Sequence, residues 1–273
     1  MQPDRYAVMG NPIAHSKSPE IHALFARQTH QNLRYDAILV PLDGFAAAVD
    51  AFQQAGGKGL NITVPFKQQA WQQVDTRSAR AELAGAVNTI VFEADGCRRG
   101  DNTDGVGLIR DLRENHGVVI AGRDVLVLGA GGAVRGVLGP LLEQAPGSLT
   151  VANRTVARAV ELADVFAAKN VAACGFEALA GHQFDLVING TSASLQGDVP
   201  SLPPRLLRAG ACAYDMMYGE HPTAFLVWAA RQGAAKTVDG LGMLVEQAAE
   251  SFYLWRGVRP RTAAVIRQLR AQL

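Results

Sequence analysis

Asp124-Val-Leu-Val-Leu-Gly-Ala-Gly-Gly-Ala133 decides the fold. A buried-strand pattern runs to Gly129, two more glycines follow at 131 and 132, and a helical pattern continues from Gly132 to Gln144. Strand, glycine turn and helix in that order make a dinucleotide site. The glycines let the backbone turn tightly and approach a pyrophosphate, and the helix start offers N–H groups without partners. The third glycine of G-x-G-x-x-G falls on Val134, so the fingerprint is incomplete, and a plain tight β–α turn is the competing reading.

The next strand settles that competition. Leu149-Thr-Val-Ala152 ends in Asn153-Arg154-Thr155, with Arg158 one helical step further. Where an NAD enzyme places Asp or Glu to hold the ribose hydroxyls, this chain has Asn153. Two guanidinium groups sit where a 2′-phosphate would lie, and a carboxylate there would repel it. A solvated helix face could also carry Arg154 and Arg158. That reading loses weight because the glycine turn begins 24 positions before Asn153. The expected cofactor is NADP.

Working outward, short apolar strands alternate with helical stretches along the chain. Strands are expected at Tyr6–Met9, Arg34–Val40, Gly59–Val64, Val87–Phe92, Asp124–Gly129, Leu149–Ala152, Leu186–Asn189 and Ala211–Asp215. Helices are expected at Ser18–Thr29, Asp43–Ala55, Asp104–Glu114, Gly132–Gln144 and Thr155–Ala168. This alternation predicts an α/β fold with mostly parallel sheets. The 273 residues favour two domains over one. The expected division is a substrate domain of residues 1–104 and 241–273, and a Rossmann-type domain of residues 105–240, with the boundary in the polar run Gly100–Gly105. Leu241, Leu244, Val245, Ala248, Phe252 and Trp255 form one apolar helical stripe. A second helix, Thr262–Ala271, follows it. Neither has a strand after it, so both are expected to pack back on the first domain.

Composition narrows the partners. Lys and Arg number 26 against 25 Asp and Glu, a net charge of +1, which leaves no footprint for nucleic acid or an anionic membrane. A small-molecule partner is expected. Cys97, Cys174 and Cys212 lie far apart, with neither C-x-x-C nor zinc-type His spacing, so no metal is expected and a reducing compartment fits. Met1-Gln-Pro-Asp-Arg5 leads into a strand pattern without a signal-peptide apolar region. The apolar run Val125–Val134 is far shorter than the roughly 18 residues a membrane span needs. The expected location is cytoplasmic; monomer and homodimer both stay open.

Four segments of the first domain carry candidate chemistry. In Gly10-Asn-Pro-Ile-Ala-His-Ser16-Lys-Ser18-Pro19, Ser18 and Pro19 read as an N-cap and first-turn pair. Two serines at a helix start also make a carboxylate receptor, while His15 reads as a solvated loop residue. In Asn61-Ile-Thr63-Val-Pro65-Phe-Lys67, Pro65 opens a helix and Lys67 falls in its first turn, where the helix dipole disfavours a cation. Ala86-Val-Asn88-Thr89 offers one amide able to bridge hydroxyls. Gly100-Asp-Asn-Thr-Asp104-Gly105 opens a helix on Asp104, whose plain role is to cap; with Lys67 it would form an ion pair.

Taken together the motifs are specific. N-P-I-x-H-S-x-S-P at 11–19, N-I-T-V-P-F-K at 61–67, A-G-A-V-N-T at 84–89, G-D-N-T-D-G at 100–105, G-A-G-G-A at 129–133, N-R-T at 153–155, Y-D-M-x-Y at 214–218 and D-G-L-G-M-L-V-x-Q-A at 239–248 resemble the shikimate dehydrogenase family over essentially the whole chain, in order. The resemblance implies reversible NADP-linked interconversion of 3-dehydroshikimate and shikimate in aromatic amino-acid biosynthesis. It implies that Ser16 and Ser18 bind the substrate carboxylate, with Tyr218 near that end. Thr63, Lys67, Asn88, Asp104 and Gln247 would hold the ring hydroxyls, with Lys67 the acid–base residue and Asp104 its partner. Gly129, Ala130, Gly131, Gly132, Ala133, Asn153, Arg154, Thr155, Arg158, Met216 and Gly240 would line the cofactor. The chain departs from the family pattern in Asn189-Gly-Thr-Ser-Ala-Ser194, where N-A-T-S-S-G is more usual, and at Ala224, where a proline often stands.

Two rivals remain at this level. A quinate/shikimate dehydrogenase of broader specificity would accept quinate and NAD, against which Arg154 and Arg158 argue. A catalytically silent NADP-binding regulator would not need both Lys67 and Asp104.

Overall fold

The computed structural model describes residues 2–166, 171–191, 193–194 and 197–273, in two compact units. One holds the chain up to Gly107 together with Val245–Gln268; the other holds Leu108–Leu244 and Leu269–Leu273. The sequence reading put the changes after residues 104 and 240 and gave the whole C-terminal stretch to the first unit. In these compact units the chain changes over inside three helices, and its last five residues group with the second unit. The polar run Gly100–Gly105 is buried. Asp101, Asn102, Thr103 and Asp104 are all buried, so their polarity serves internal hydrogen bonds and not water.

The first unit runs β1 (Asp4–Gly10), α1 (Ser18–Thr29), β2 (Leu33–Leu39), α2 (Phe45–Gln54), β3 (Gly57–Ile62), α3 (Lys67–Gln73), β4 (Thr76–Arg77), α4 (Ala79–Ala84), β5 (Thr89–Phe92), β6 (Arg98–Asp101) and into α5 (Asp104–Arg110). Its sheet has the order β2-β1-β3-β5-β6-β4. β1 pairs in parallel with β2 and β3, whereas β5 runs antiparallel to β3 and β6. β6 escaped the sequence reading because Arg98-Arg99-Gly100-Asp101 lacks the apolar alternation of a strand. β5 starts later than expected, since the N–H groups of Val87 and Asn88 go to Lys67 O and Asp101 O.

Alternate residues of β1 face opposite sides of the sheet. Ala7 and Met9 pack with Phe45, Leu60, Ile62 and Phe66, while Tyr6 and Val8 pack with Ile13 and Tyr35, against Trp255. Within this second cluster His22 is fully buried and stacks on Tyr35, centroids 4.2 Å apart and planes 6° from parallel. Burial pushes its imidazole down to about 3.

The second unit continues with a π-helical turn, Asp111–Asn115, then β7 (Asp124–Leu128), α6 (Gly132–Glu143), β8 (Ser148–Ala152), α7 (Val156–Asp164), β9 (Ala172–Cys174), β10 (Phe184–Asn189), β11 (Leu207–Asp215), α8 (Ala224–Arg231) and β12 (Lys236–Val238). All its pairings are parallel, in the order β9-β8-β7-β10-β11-β12. The order reverses between β7 and β10, the place where open α/β sheets form a binding crevice. The end of the expected helix Thr155–Ala168, at Ala167 and Ala168, lies outside the described residues.

Two helices close the chain, α9 (Leu241–Arg256) and α10 (Ala263–Arg270). A single apolar stripe was expected on α9, yet Glu246, Glu250 and Ser251 are buried as well. Glu250 is tolerated there because Arg80 reaches it at 3.0 Å and Arg259 also pairs with it. Among the described residues, no helix is long and apolar enough to cross a membrane.

Candidate active site

Strand direction gathers the candidates of the first unit at one end of its sheet. β1 and β3 end there; β5, running the other way, begins there; β6 ends beside it, with Thr89 opposite Asp101. The segment after β1 carries Ser16 and Ser18, that after β3 carries Thr63 and Lys67, Asn88 precedes β5, and Asp104 follows β6. Asn11 N–H donates to Val64 O at 3.0 Å and ties the first two segments together.

Lys67 Nζ donates to Asp104 Oδ2 at 2.6 Å, and Asn88 Nδ2 donates to Asp104 Oδ1 at 2.7 Å. Both carboxylate oxygens are thus engaged. Gln247 joins from α9, its Oε1 3.5 Å from Asn88 Nδ2 and 3.3 Å from Thr103 Oγ1. Asp104 does not cap its helix with its side chain; its own N–H donates to Asn102 Oδ1 at 3.1 Å. α3 opens on Lys67, after Phe66, and not on Pro65 as the sequence reading had it.

The serine pair also differs from expectation. Lys17 occupies the cap position of α1, and Ser18 is the first helical residue. Ser16 Oγ accepts the Ser18 N–H at 3.3 Å, which keeps the Ser16 hydroxyl hydrogen available for a carboxylate. Ser18 itself is buried at the start of that helix.

In the second unit the glycine turn follows β7. Gly129 has φ +104°, a region that side chains resist, and a Cβ there would lie 3.1 Å from Gly190 O. A Cβ on Gly131 or Gly132 would meet no atom within 4 Å, so the backbone entering α6 is bare to a phosphate. Those residues fit a dinucleotide. Gly129 N–H donates to Ala152 O at 2.8 Å, which sets the ends of β7 and β8 side by side. Asn153, Arg154 and Thr155 come next, with Arg154 and Arg158 exposed about the start of α7. Asn153 Nδ2 donates to Thr155 O at 2.9 Å and fixes that turn. Met216 N–H donates to Asn189 O, and a Cβ on Gly240 would lie 2.2 Å from Met216 O, so both neighbour the β10 end. Tyr218 lies in this unit too, half-buried, its phenol raised by burial and by Asp239.

The departures have local causes. A Cβ on Gly190 would lie 2.4 Å from Val134 Cγ2 and 3.0 Å from Met216 Sδ. Val134 fills the space that the more usual alanine would need. Ala224 is the first residue of α8, whose N–H at Leu226 is capped by Thr223 Oγ1. Proline is favoured at that position, and alanine is compatible with it because the Thr223 cap does not depend on the residue there. Ser192 of the departing loop lies outside the described residues.

Sequence reasoning missed a layer behind the cluster: Tyr35, Asn61, Thr89, Thr103 and Ser251. Their signal was polarity within strand-like or apolar helical stretches. Such residues must be hydrogen-bonded when buried.

Comparison with known proteins agrees over the full chain. Residues 8–90 match the shikimate dehydrogenase substrate binding domain, 112–196 the shikimate / quinate 5-dehydrogenase family, and 240–270 the shikimate 5′-dehydrogenase C-terminal domain. A shikimate dehydrogenase (NADP(+)) of Alkalilimnicola ehrlichii is 63% identical, covering 98% of this chain and 99% of its own. An Ael1 enzyme from Pseudomonas putida superposes with TM-score 0.93 at 51% identity, covering 97% and 98% of the two chains. The shikimate 5-dehydrogenase of Thermus thermophilus, solved with NADP(H) and shikimate, superposes with TM-score 0.88 at 34% identity, covering 99% and 100%. On identity and coverage of this extent, the chain belongs to the shikimate dehydrogenase family.

Proposed function

We propose that Lys67 carries the proton in an NADP-dependent reduction of 3-dehydroshikimate to shikimate, and in its reverse. The observation that carries this reading is the Lys67–Asp104 contact at 2.6 Å, beside Asn88 and Gln247 at one sheet end. NADPH, when bound, supplies the hydride. Lys67 gives a proton from Nζ to the oxygen as ketone becomes alcohol, and takes it back in the oxidation, so one group serves both directions. Asp104 stays an acceptor for Lys67 and Asn88, and thereby orients both toward the ring hydroxyls. Thr63 and Gln247 complete the hydroxyl contacts, and Ser16 and Ser18 take the carboxylate.

In the second unit Gly129–Ala133 hold the pyrophosphate against the start of α6. Arg154 and Arg158 pair with the 2′-phosphate, while Asn153, Thr155, Met216 and Gly240 line the remainder. The exposed arginines about the α7 start support NADP over NAD, and a cytoplasmic small-molecule enzyme accords with the balanced charge.

The test is absorbance of the reduced nicotinamide with shikimate and NADP, run beside quinate and NAD, on wild type and Lys67→Ala. Activity with shikimate and NADP is expected, together with a kcat loss of about 10²–10⁴-fold in the variant. A folded, NADP-binding Lys67→Ala enzyme within a few-fold of wild type overturns the proton role. Equal efficiency with quinate or NAD favours the broader-specificity reading.

A further inference from the structure

The buried layer behind Asp104 is directional. Asn88 Oδ1 accepts the Thr89 hydroxyl at 2.9 Å and the Thr103 N–H at 2.9 Å. Turning the amide over would set its NH2 against both donors, so Nδ2 is left to face Asp104. The Thr89 hydroxyl is itself oriented. Asn61 Nδ2 donates to Thr89 Oγ1 at 3.2 Å, and Ser251 Oγ lies 2.7 Å from the same oxygen; with Ser251 as the donor of that pair, the single Thr89 hydrogen goes to Asn88. Asn61 is fixed in turn by the Tyr35 hydroxyl, which donates to its Oδ1 at 2.7 Å. Burial raises the Tyr35 phenol well above its ordinary value, so that hydroxyl keeps its proton. Donors therefore run one way, Tyr35 to Asn61 to Thr89 to Asn88 to Asp104. Hydrogen bonds aligned in series polarise one another.

We infer that Thr89, with Asn61 and Tyr35 behind it, is a positioning residue for the proton-transfer pair, holding Asn88 turned toward Asp104. This rests on the reading of Lys67 and Asp104 given above. Thr89 is fully buried in β5 and acts only through Asn88. Its neighbours keep other partners when it is changed: without its hydroxyl, Asn61 Nδ2 still reaches Ser251 and Asn88 O, Asn88 Oδ1 still receives Thr103 N–H, and Ser251, which loses a 2.7 Å contact, still reaches Gln247 O.

The experiment sets Thr89→Val, which keeps volume and loses the donor, against Thr89→Ser, which keeps the donor and loses a methyl. Kinetics with shikimate and NADP, NADP affinity and thermal melting are measured on each. Positioning predicts kcat lowered about five- to tenfold in Thr89→Val and within twofold of wild type in Thr89→Ser, with NADP affinity unchanged in both. Tyr35→Phe, at the far end, should lower kcat in the same direction by a smaller factor, and it carries the test if Thr89→Val does not fold. The opposite order, a normal Thr89→Val and an impaired Thr89→Ser, marks a packing role and overturns the inference. Wild-type kcat in Thr89→Val beside an inactive Lys67→Ala overturns the relay alone. Wild-type kcat in Lys67→Ala overturns the reading beneath it.

Discussion

Lys67 is the first residue of α3 and Asp104 the first residue of α5, and their charged groups meet at 2.6 Å. A helix start favours an anion and disfavours a cation. Asp104 is at home there; Lys67 is not, and its carboxylate partner offsets the disfavour. The pair is thus held together by complementary charge at two like helix ends.

Asp104→Asn tests that arrangement without changing shape. One face of the new amide must carry NH2, so a donor is set against either Lys67 Nζ or Asn88 Nδ2. Losing a charge-assisted hydrogen bond costs about 1.5–3 kcal/mol, so kcat should fall roughly ten- to a hundredfold. NADP affinity, measured by fluorescence titration, should hold. A variant with undiminished kcat would show the carboxylate to be dispensable.

Arg154→Ala should weaken NADP far more than NAD, since only NADP has a 2′-phosphate to pair. The preference, read as the ratio of kcat/KM values for the two cofactors, should fall about ten- to a hundredfold. An equal loss with both cofactors contradicts the assignment.

Gly190→Ala, although it restores the more usual family residue, should destabilise this chain. Its Cβ would meet Val134 Cγ2 at 2.4 Å, and Val134 is buried and β-branched, with little room to turn. Overpacking of this kind costs about 1–3 kcal/mol. Adding Val134→Ala should recover most of that loss, and denaturant unfolding of the two single variants and the double measures the coupling. Strict additivity would mean that the two sites do not share this space.

His22 gives the stability a pH dependence of its own. Its folded value is about 3 against the ordinary 6.5, because burial disfavours the cation. The unfolded chain therefore binds the extra proton between those values. This contribution is complete above pH 6.5 and is lost as pH falls toward 3. Between about pH 7 and 5 it amounts to about 2 kcal/mol. Neither ring nitrogen has a hydrogen-bond partner of ordinary geometry, so His22→Phe keeps the stack on Tyr35 and orphans little. Urea unfolding at the two pH values should show the variant losing about 2 kcal/mol less than wild type. Parallel losses would locate the acid sensitivity elsewhere.

Periodicity made much of this legible. β7, its glycine turn and α6 read directly from Asp124–Gln144, because a buried parallel strand is continuously apolar and the turn is made of glycine. The same logic fails at β6, which is polar because its end feeds the Asp101–Asp104 network. It fails again at α9, where Glu250 and Ser251 look solvated in sequence but are buried against Arg80 and Asn61. Lys67 and Asp104 could be named from their places at helix starts. Thr89 and Tyr35 could not, since a hydroxyl in a strand pattern reads as ordinary β-propensity until its partners are known.

The chain's late return to its first unit has a consequence for its biosynthesis. As the polypeptide emerges, Leu108–Leu244 supply all six strands of the second sheet in one contiguous stretch. The first unit must wait for Val245–Gln268, and Asn61 for Ser251, which is 190 residues downstream. Domains formed from contiguous sequence can fold while translation continues, whereas long-range pairings wait for their distant half. The strands of the second sheet are thus all available on the ribosome while the hydroxyl network behind Asp104 is still missing Ser251.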